Sequence, residues 1–394
     1  MARRRPDYGP PAGPAEVRAL DALITFTYQF EEGGFRRWMR RAGRANARVA
    51  RSGGAVAGGL FLYPMGQWFG GRSVRCLGVA GVGVAPEHRA RGVGSALMRG
   101  VVRECAASGF PLSAIYPATQ PVYRQAGYEQ AGHRLVHATP AAAIDARERD
   151  LGIRLARPSD RRAIERLYRA QAKETSGLLD RSPFLWERIL APPKTPLRVY
   201  LVHRGPEALG YVVTGPRKRE DLHQDLLLAD LAFRTPEAGR RILSFVAAQR
   251  SFVKTVRWHG GPQDPLAALL REQDGVTVER HWRWMLRICD LRRALEARGY
   301  PAAVEATVAL EVADGILPSN SGRWTLRVKG GRARVTRGGP GRVSCDIRSL
   351  ASVYTGFISP EEARCRGTMD GAARDLSALG AIFAGPAPWI REMF

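Results

Sequence analysis

The chain reads as an α/β (α+β) protein, with mixed sheets flanked by helices and more than one domain. Three observations predict this. Residues 74–85 form a strand rich in Val and Gly, 92–108 a helix with one apolar face, and 111–116 a short apolar strand; together they make a βαβ-type unit. A helix-then-strands pattern restarts after about residue 150 and repeats the flavour of the first. The length of 394 residues holds about two or three domains of ordinary size.

Taken in order, residues 16–30 open with a helix-like pattern (Val17, Leu20, Leu23, Ile24), and an Arg-rich, Gly-interrupted stretch follows to about 48. Two strands are expected around Gly53 and Gly54, at 48–51 and 55–63. The helix over 92–108 places Val93, Ala96, Leu97, Val101 and Cys105 near one face, and Gly109 sits where a C-cap belongs. Residues 132–138 alternate like a strand. The stretch 145–153 is charged and turn-like. Pro158-Ser159-Asp160 then signals the start of a helix over 159–174. Strands are expected near 198–203, 208–214 and 226–232, and a helix over 236–249. From about 286 the texture changes. Residues 306–313 and 322–328 alternate, Gly330 and Gly331 make a turn, and 347–357 and 370–383 read as helices. The sequence closes on Trp389 and Phe394, an apolar end that suggests burial rather than fraying.

Composition limits the function classes. Apolar residues make up 45% and charged residues 25%, a soluble globular mix. That excludes a wholly disordered chain, a collagen-like fibre and a small disulfide scaffold. The formal net charge is +24, and only five of 61 basic residues are Lys. A GC-rich genome that favours Arg codons explains such a bias, and so does a phosphate-bearing partner. Both explanations stay open except at the turn described next. No run of about 18 apolar residues exists, so no membrane-spanning helix is expected. The basic start is not followed by a continuous apolar stretch, so no secretory signal is expected. The five cysteines (76, 105, 289, 345, 365) are odd in number and contain no CxxC pair, which points to reduced thiols in the cytoplasm. His133 and His137 have i, i+4 spacing, but in a strand-like stretch that separates them, so no metal is expected.

One stretch is specific. Val82, Gly83 and Val84 end a strand; Arg89, Ala90, Arg91, Gly92, Val93, Gly94 and Ser95 then form a turn that opens a helix. Unpaired N–H groups at a helix start attract anions, and glycines let a phosphate come close to them. No Gly-Lys-Ser/Thr follows, so this is not a Walker loop, and the spacing is not the dinucleotide fingerprint. Arg-x-x-Gly-x-Gly after Val-x-Val resembles the acetyl-CoA signature of the GNAT N-acetyltransferases. The resemblance implies that residues 82–84 pair with a pantetheine arm and that 90–95 hold the pyrophosphate, with Ala118 and Thr119 also at the cofactor. Downstream, Tyr123-x-x-x-Gly127-Tyr128 is similar to the family's Tyr-x-x-x-Gly-(Phe/Tyr) motif. Tyr123 is thereby implied as the acid that protonates the leaving thiolate, a role that suits a phenol protonated at neutral pH. Tyr128 reads as a core aromatic.

The whole layout resembles the Eis (enhanced intracellular survival) family, through 63–71, 116–123, 349–357 and the closing residues. That resemblance implies tandem GNAT folds followed by a domain similar to sterol carrier protein. The expected boundaries are 1–150 for the catalytic domain, 151–285 for a second domain without a cofactor turn, and 286–394 for the third. It also implies acetyl-CoA as co-substrate, no metal, and a small-molecule or peptide amine as acceptor, of the aminoglycoside or lysine kind. The Phe394 carboxylate is implied as base or amine anchor, and the assembly as a cytoplasmic homohexamer. Trp38, Trp68 and Phe69 are candidates for a substrate wall, with Asp7, Glu31 and Glu32 as possible acidic contributors. Two other function classes are a lipid carrier, which rests on the C-terminal domain, and a nucleic-acid binder, which rests on charge alone. No RNP, zinc-finger or helix-turn-helix signature supports the second.

Overall fold

The computed structural model describes residues 6–190, 196–272 and 275–394; the Arg-rich start at 1–5 lies outside them. The first stretch runs β1 (Asp7–Gly9), α1 (Pro14–Tyr28), α2 (Gly34–Ala42), β2 (Ala47–Ser52), β3 (Ala55–Phe69), β4 (Arg72–Val84), α3 (Val93–Ala107), β5 (Leu112–Ile115) and α4 (Gln120–Gln125). Next come β6 (Glu129–Pro140), β7 (Gly152–Leu155), α5 (Arg161–Glu174), β8 (Leu179–Asp180), α6 (Pro183–Leu190), β9 (Arg198–Arg204), β10 (Glu207–Lys218), β11 (Gln224–Phe233), α7 (Pro236–Ala247), β12 (Val253–Gly260) and β13 (Thr277–Ile288). The last stretch holds α8 (Leu291–Ala297), β14 (Ala306–Ala313), β15 (Gly322–Lys329), β16 (Arg332–Arg337), β17 (Val343–Asp346), α9 (Ile347–Thr355), α10 (Pro360–Cys365), β18 (Met369–Gly371) and α11 (Ala373–Phe383).

These elements form two compact units. One comprises Met1–Ala131, Arg283–Gly385 and Met393–Phe394; the other comprises Gly132–Trp282 and Pro386–Glu392. The first unit contains two sheets. In one, the strand order is β1-β2-β3-β4-β5-β13, and β4 and β5 are parallel. The other is the five-stranded sheet β16-β15-β14-β17-β18. The second unit carries β6-β12-β11-β10-β9-β7, with β11 and β12 parallel. The β4–β5 and β11–β12 pairs are each joined by one helix, α3 or α7, as a crossover; the parallel β14–β17 pair is joined instead through the β15–β16 hairpin. The Gly-Gly pairs at 53–54, 70–71 and 330–331 all have positive φ, and each closes a two-residue hairpin that other residue types would strain.

The helix expected over 92–108 is α3, and its buried residues include Val93, Leu97, Val101 and Cys105. They pack on Leu60, Leu62, Val79 and Ile115 of the sheet. Asp160 does not cap α5 by its side chain. It accepts instead from the Arg157 N–H at 2.7 Å and from Arg154, closing a short turn ahead of the helix. Within the first unit, Arg287 of β13 is fully buried, and its Nη2 donates to both oxygens of Asp314 at 2.7 Å. The guanidinium rests on Gly127, where a Cβ would stand 2.9 Å from Cζ. The glycine of the Tyr-x-x-x-Gly motif therefore serves this close approach.

Candidate active site

The site is built where β4 outruns its neighbour. β4 and β5 pair in parallel only from Cys76↔Leu112 to Val79↔Ile115. β5 stops at Ile115, and β4 continues to Val84. On the other flank the register against β3 shifts between Gly59 and Phe61, and Gly81 takes φ +59 at this bulge. The far end of β4, residues 80–84, is left with one flank unpaired by β5. An extended ligand can use those backbone groups as a strand would. The Tyr28 hydroxyl already donates to the Val82 carbonyl at 3.0 Å. Periodicity in α1 gave no signal for Tyr28, because the ring projects from the last turn of the helix.

A turn follows. Ala90 has φ 57 and Gly92 φ 82, so the backbone doubles back into the first turn of α3. A left-handed alanine costs about 1 kcal/mol, which marks a backbone path kept for a purpose. Gly92 is the N-cap and has no side chain to satisfy the first N–H groups of α3. Arg89, Ala90, Arg91 and Gly92 are exposed. Gly94 faces Val122 of α4, 3.6 Å from where its Cβ would lie. Alongside α3 runs a groove of about 900 Å³ lined by Tyr8, Arg91, Ser95, Arg99 and Arg103, among others.

The second unit shows what a closed version looks like. Its corresponding helix, α7, is capped by the Thr235 side chain, which accepts from the Ala238 N–H. One of the N–H groups that stays open in α3 is spoken for in α7.

Tyr123 lies on α4, which begins after Thr119 with proline in its first turn. Ala118 and Thr119 are exposed. The Tyr123 phenol is pushed up to about 12, chiefly by burial and then by the nearby Tyr28; a hydrogen bond from the Ala118 backbone offsets part of this. The proton is therefore held firmly at neutral pH. Tyr128 is buried in the core, and its hydroxyl pairs with Ser113 Oγ at 2.8 Å.

Phe394 is 8% exposed, and its ring centroid lies 5.5 Å from that of Tyr116, one residue past the end of β5. It sits over Gly78 of β4, where a Cβ would meet the ring at 3.0 Å and Met65 at 2.9 Å. Gly78 thus leaves the space that the terminal ring fills, next to the point where β4 and β5 part.

The proposed wall residues divide. Trp38 on α2 is half-buried and packs on Phe61 at 4.5 Å and Tyr63 at 5.5 Å. It approaches Gly81 of the bulge. Trp68 is mostly buried, and its indole N–H has no partner among the described residues. Phe69 is not at the site: it is fully buried and packs edge-on against Tyr354 at 5.3 Å. Its alternation on β3 points it into the core of the unit. Asp7 pairs with Arg51 at 3.3 Å and lines the α3 groove rather than an acceptor pocket. Glu31 is exposed beside Arg37, and Glu32 is exposed. Among the described residues, no group of three or more His, Cys, Asp or Glu side chains could hold a metal ion. No described helix is long and apolar enough to cross a membrane.

Comparison with known proteins agrees with this geometry. Residues 11–131 and 177–288 each match an acetyltransferase (GNAT) domain family, and 291–391 match a sterol carrier protein domain family. The N-acetyltransferase Eis of Mycobacterium tuberculosis is 32% identical over 302 residues, 71% of this chain and 70% of that protein. An uncharacterized N-acetyltransferase of Streptomyces coelicolor is 28% identical over 82% of each chain. The crystal structure of a GCN5-related N-acetyltransferase from Anabaena variabilis superposes with a TM-score of 0.94, at 35% identity, over 99% of this chain and 100% of that one. In fold the chain is also like an Eis protein of Mycobacterium abscessus, with a TM-score of 0.81 over 99% and 100% of the two chains, at 24% identity. An uncapped, arginine-rimmed helix start after a splayed β4, repeated GNAT domains and a sterol-carrier-like third part converge on one conclusion: the chain belongs to the Eis family of GNAT N-acetyltransferases.

Proposed function

We propose that the enzyme transfers the acetyl group of acetyl-CoA to a primary amine by direct attack, with Tyr123 as general acid. The GNAT domains imply acetyl-CoA as co-substrate, and when bound it supplies an acetyl thioester activated for attack. The residues present fit it. The open flank of β4 at Val82, Gly83 and Val84 suits an extended amide-bearing arm. The turn at Arg89–Ser95, with Ala90 and Gly92 left-handed and the helix start uncapped, suits a pyrophosphate. Tyr123 holds its proton and gives it to the departing sulfur. The Phe394 carboxylate attracts the cationic acceptor and accepts its proton, directly or through water.

The single observation that carries this reading is the junction of the unpaired end of β4 with the uncapped start of α3. Acetyl-CoA turnover against aminoglycosides, polyamines and lysine peptides tests it. Acetylation of at least one class is expected, and no turnover with any primary amine would sink it. By the same family likeness, the enzyme is proposed to act as a cytoplasmic homohexamer, which sedimentation of the purified protein and cell fractionation check.

A further inference from the structure

The second unit repeats the strand geometry of the active site, and the chain's own C-terminal segment occupies it. β11 and β12 pair in parallel from Gln224↔Val253 to Leu228↔Trp258, and β11 continues to Phe233. The register of β11 against β10 shifts between Val213 and Thr214, which leaves Ala229 as the bulged residue. That is the place Gly81 and Val82 hold in β4. Just beyond it, Arg391 Nη1 donates to Asp230 at 2.8 Å and to the Leu231 carbonyl.

Asp230 also accepts both terminal nitrogens of Arg181, at 2.7 and 2.9 Å, and the Tyr211 hydroxyl at 2.7 Å. Arg181 in turn pairs with Glu392. The Arg181 and Asp230 side chains are fully buried, and those of Arg391 and Glu392 are 3% and 6% exposed. Two guanidiniums thus face two carboxylates, and a third, that of buried Arg134, donates through Nε to the Arg391 carbonyl at 2.8 Å. Backbone bonds add to them. The His133 N–H donates to the Pro388 carbonyl at 2.9 Å, the Ile390 N–H to His133 at 3.0 Å, and the Trp389 N–H to Ser176 at 2.9 Å. The Trp389 ring lies over Gly261, where a Cβ would be 2.5 Å from it.

Buried charges cost free energy unless every one is paired, and a fully paired set admits few alternative arrangements. We infer that the β11–β12 cleft of the second unit is a receptor for residues 386–392, and that Asp230 is a positioning residue acting on Phe394 through Arg391. The chain reaches Phe394 three residues after Arg391, so fixing the one constrains the other. The clamp stands on the geometry alone; its effect on turnover rests on the role proposed above for Phe394.

The test uses full-length Asp230→Asn, Arg391→Lys and the double variant Asp230→Leu/Arg391→Leu, in which Arg181 and Glu392 still pair. Amide hydrogen exchange of peptides covering 386–394 is read beside kcat and the KM for acetyl-CoA. Asp230→Asn and the double variant are expected to speed exchange in 386–394 by about tenfold or more, ahead of the rest of residues 132–282. They are expected to lower kcat by about tenfold with KM within about twofold, while Arg391→Lys recovers most of the activity. Native exchange in 386–394 in both variants, or a rise no larger there than across 132–282, overturns the receptor. Faster exchange at unchanged kcat supports the receptor and overturns Asp230 as a positioning residue.

Discussion

A phenol serves as an acid only while it keeps its proton, and burial makes Tyr123 keep it. Because its pKa is raised from 10.0 to about 12, the protonated form persists to higher pH. kcat should therefore show no alkaline fall near pH 10; a limb there in the pH–rate profile would count against Tyr123. Tyr123→Phe should lower kcat by about 100-fold or more, with the KM for acetyl-CoA little changed. Gly78→Val probes the other side. Its side chain would collide with Phe394 and Met65, so kcat should fall while thermal stability drops by about 1–3 kcal/mol. At this scale the sequence was legible where a motif fixed a backbone position, as at Gly92, which is the N-cap of α3 in a left-handed conformation. It misled at Phe69, because alternation along β3 cannot say which of two faces is the core when both are largely apolar.

Elements were legible where punctuation was strong. Gly53-Gly54 and the βαβ run gave β2, β4 and α3 to within two residues, and the start but not the end of β3, which runs six residues past the expected 55–63. α2 was missed because its arginines mask a narrow apolar stripe of Phe35 and Met39. α4 was missed because six residues span too few turns to show a period. The comparison of α3 with α7 yields two predictions. Gly92→Val forces a branched residue into φ 82 and should raise the KM for acetyl-CoA by about tenfold, since the strain of about 1–2 kcal/mol falls on the turn. Thr235→Ala removes a cap and should cost about 1 kcal/mol in stability while leaving kcat and KM unchanged, as urea denaturation and steady-state assays would show.

For the whole molecule, buried ion pairs engage several of the arginines inside the fold. The clearest case is Asp230. Burial opposes its charge, but Arg181 and Arg391 hold its carboxyl at about 2, below the ordinary 3.8. A lowered carboxylate pKa contributes stability that is present above about pH 4 and lost as pH falls toward 2. The midpoint of thermal unfolding should drop steeply across that window, and less so in Asp230→Asn. The sequence showed three textures along the chain, whereas contacts gather the residues into two units, with 283–385 joined to the first. Texture is local, and long-range pairing of this kind leaves no mark on periodicity. The Arg287–Asp314 pair has a consequence for modularity. Asp314 lies in the third texture, and its partner rests on the glycine of the catalytic motif. A chain cut after β13 would leave a guanidinium in the core with no counter-charge, against Gly127. A chain that keeps both acetyltransferase regions but lacks everything after β13 is therefore expected to be insoluble or inactive: a unit recurrent in families, yet here no longer separable from its neighbour.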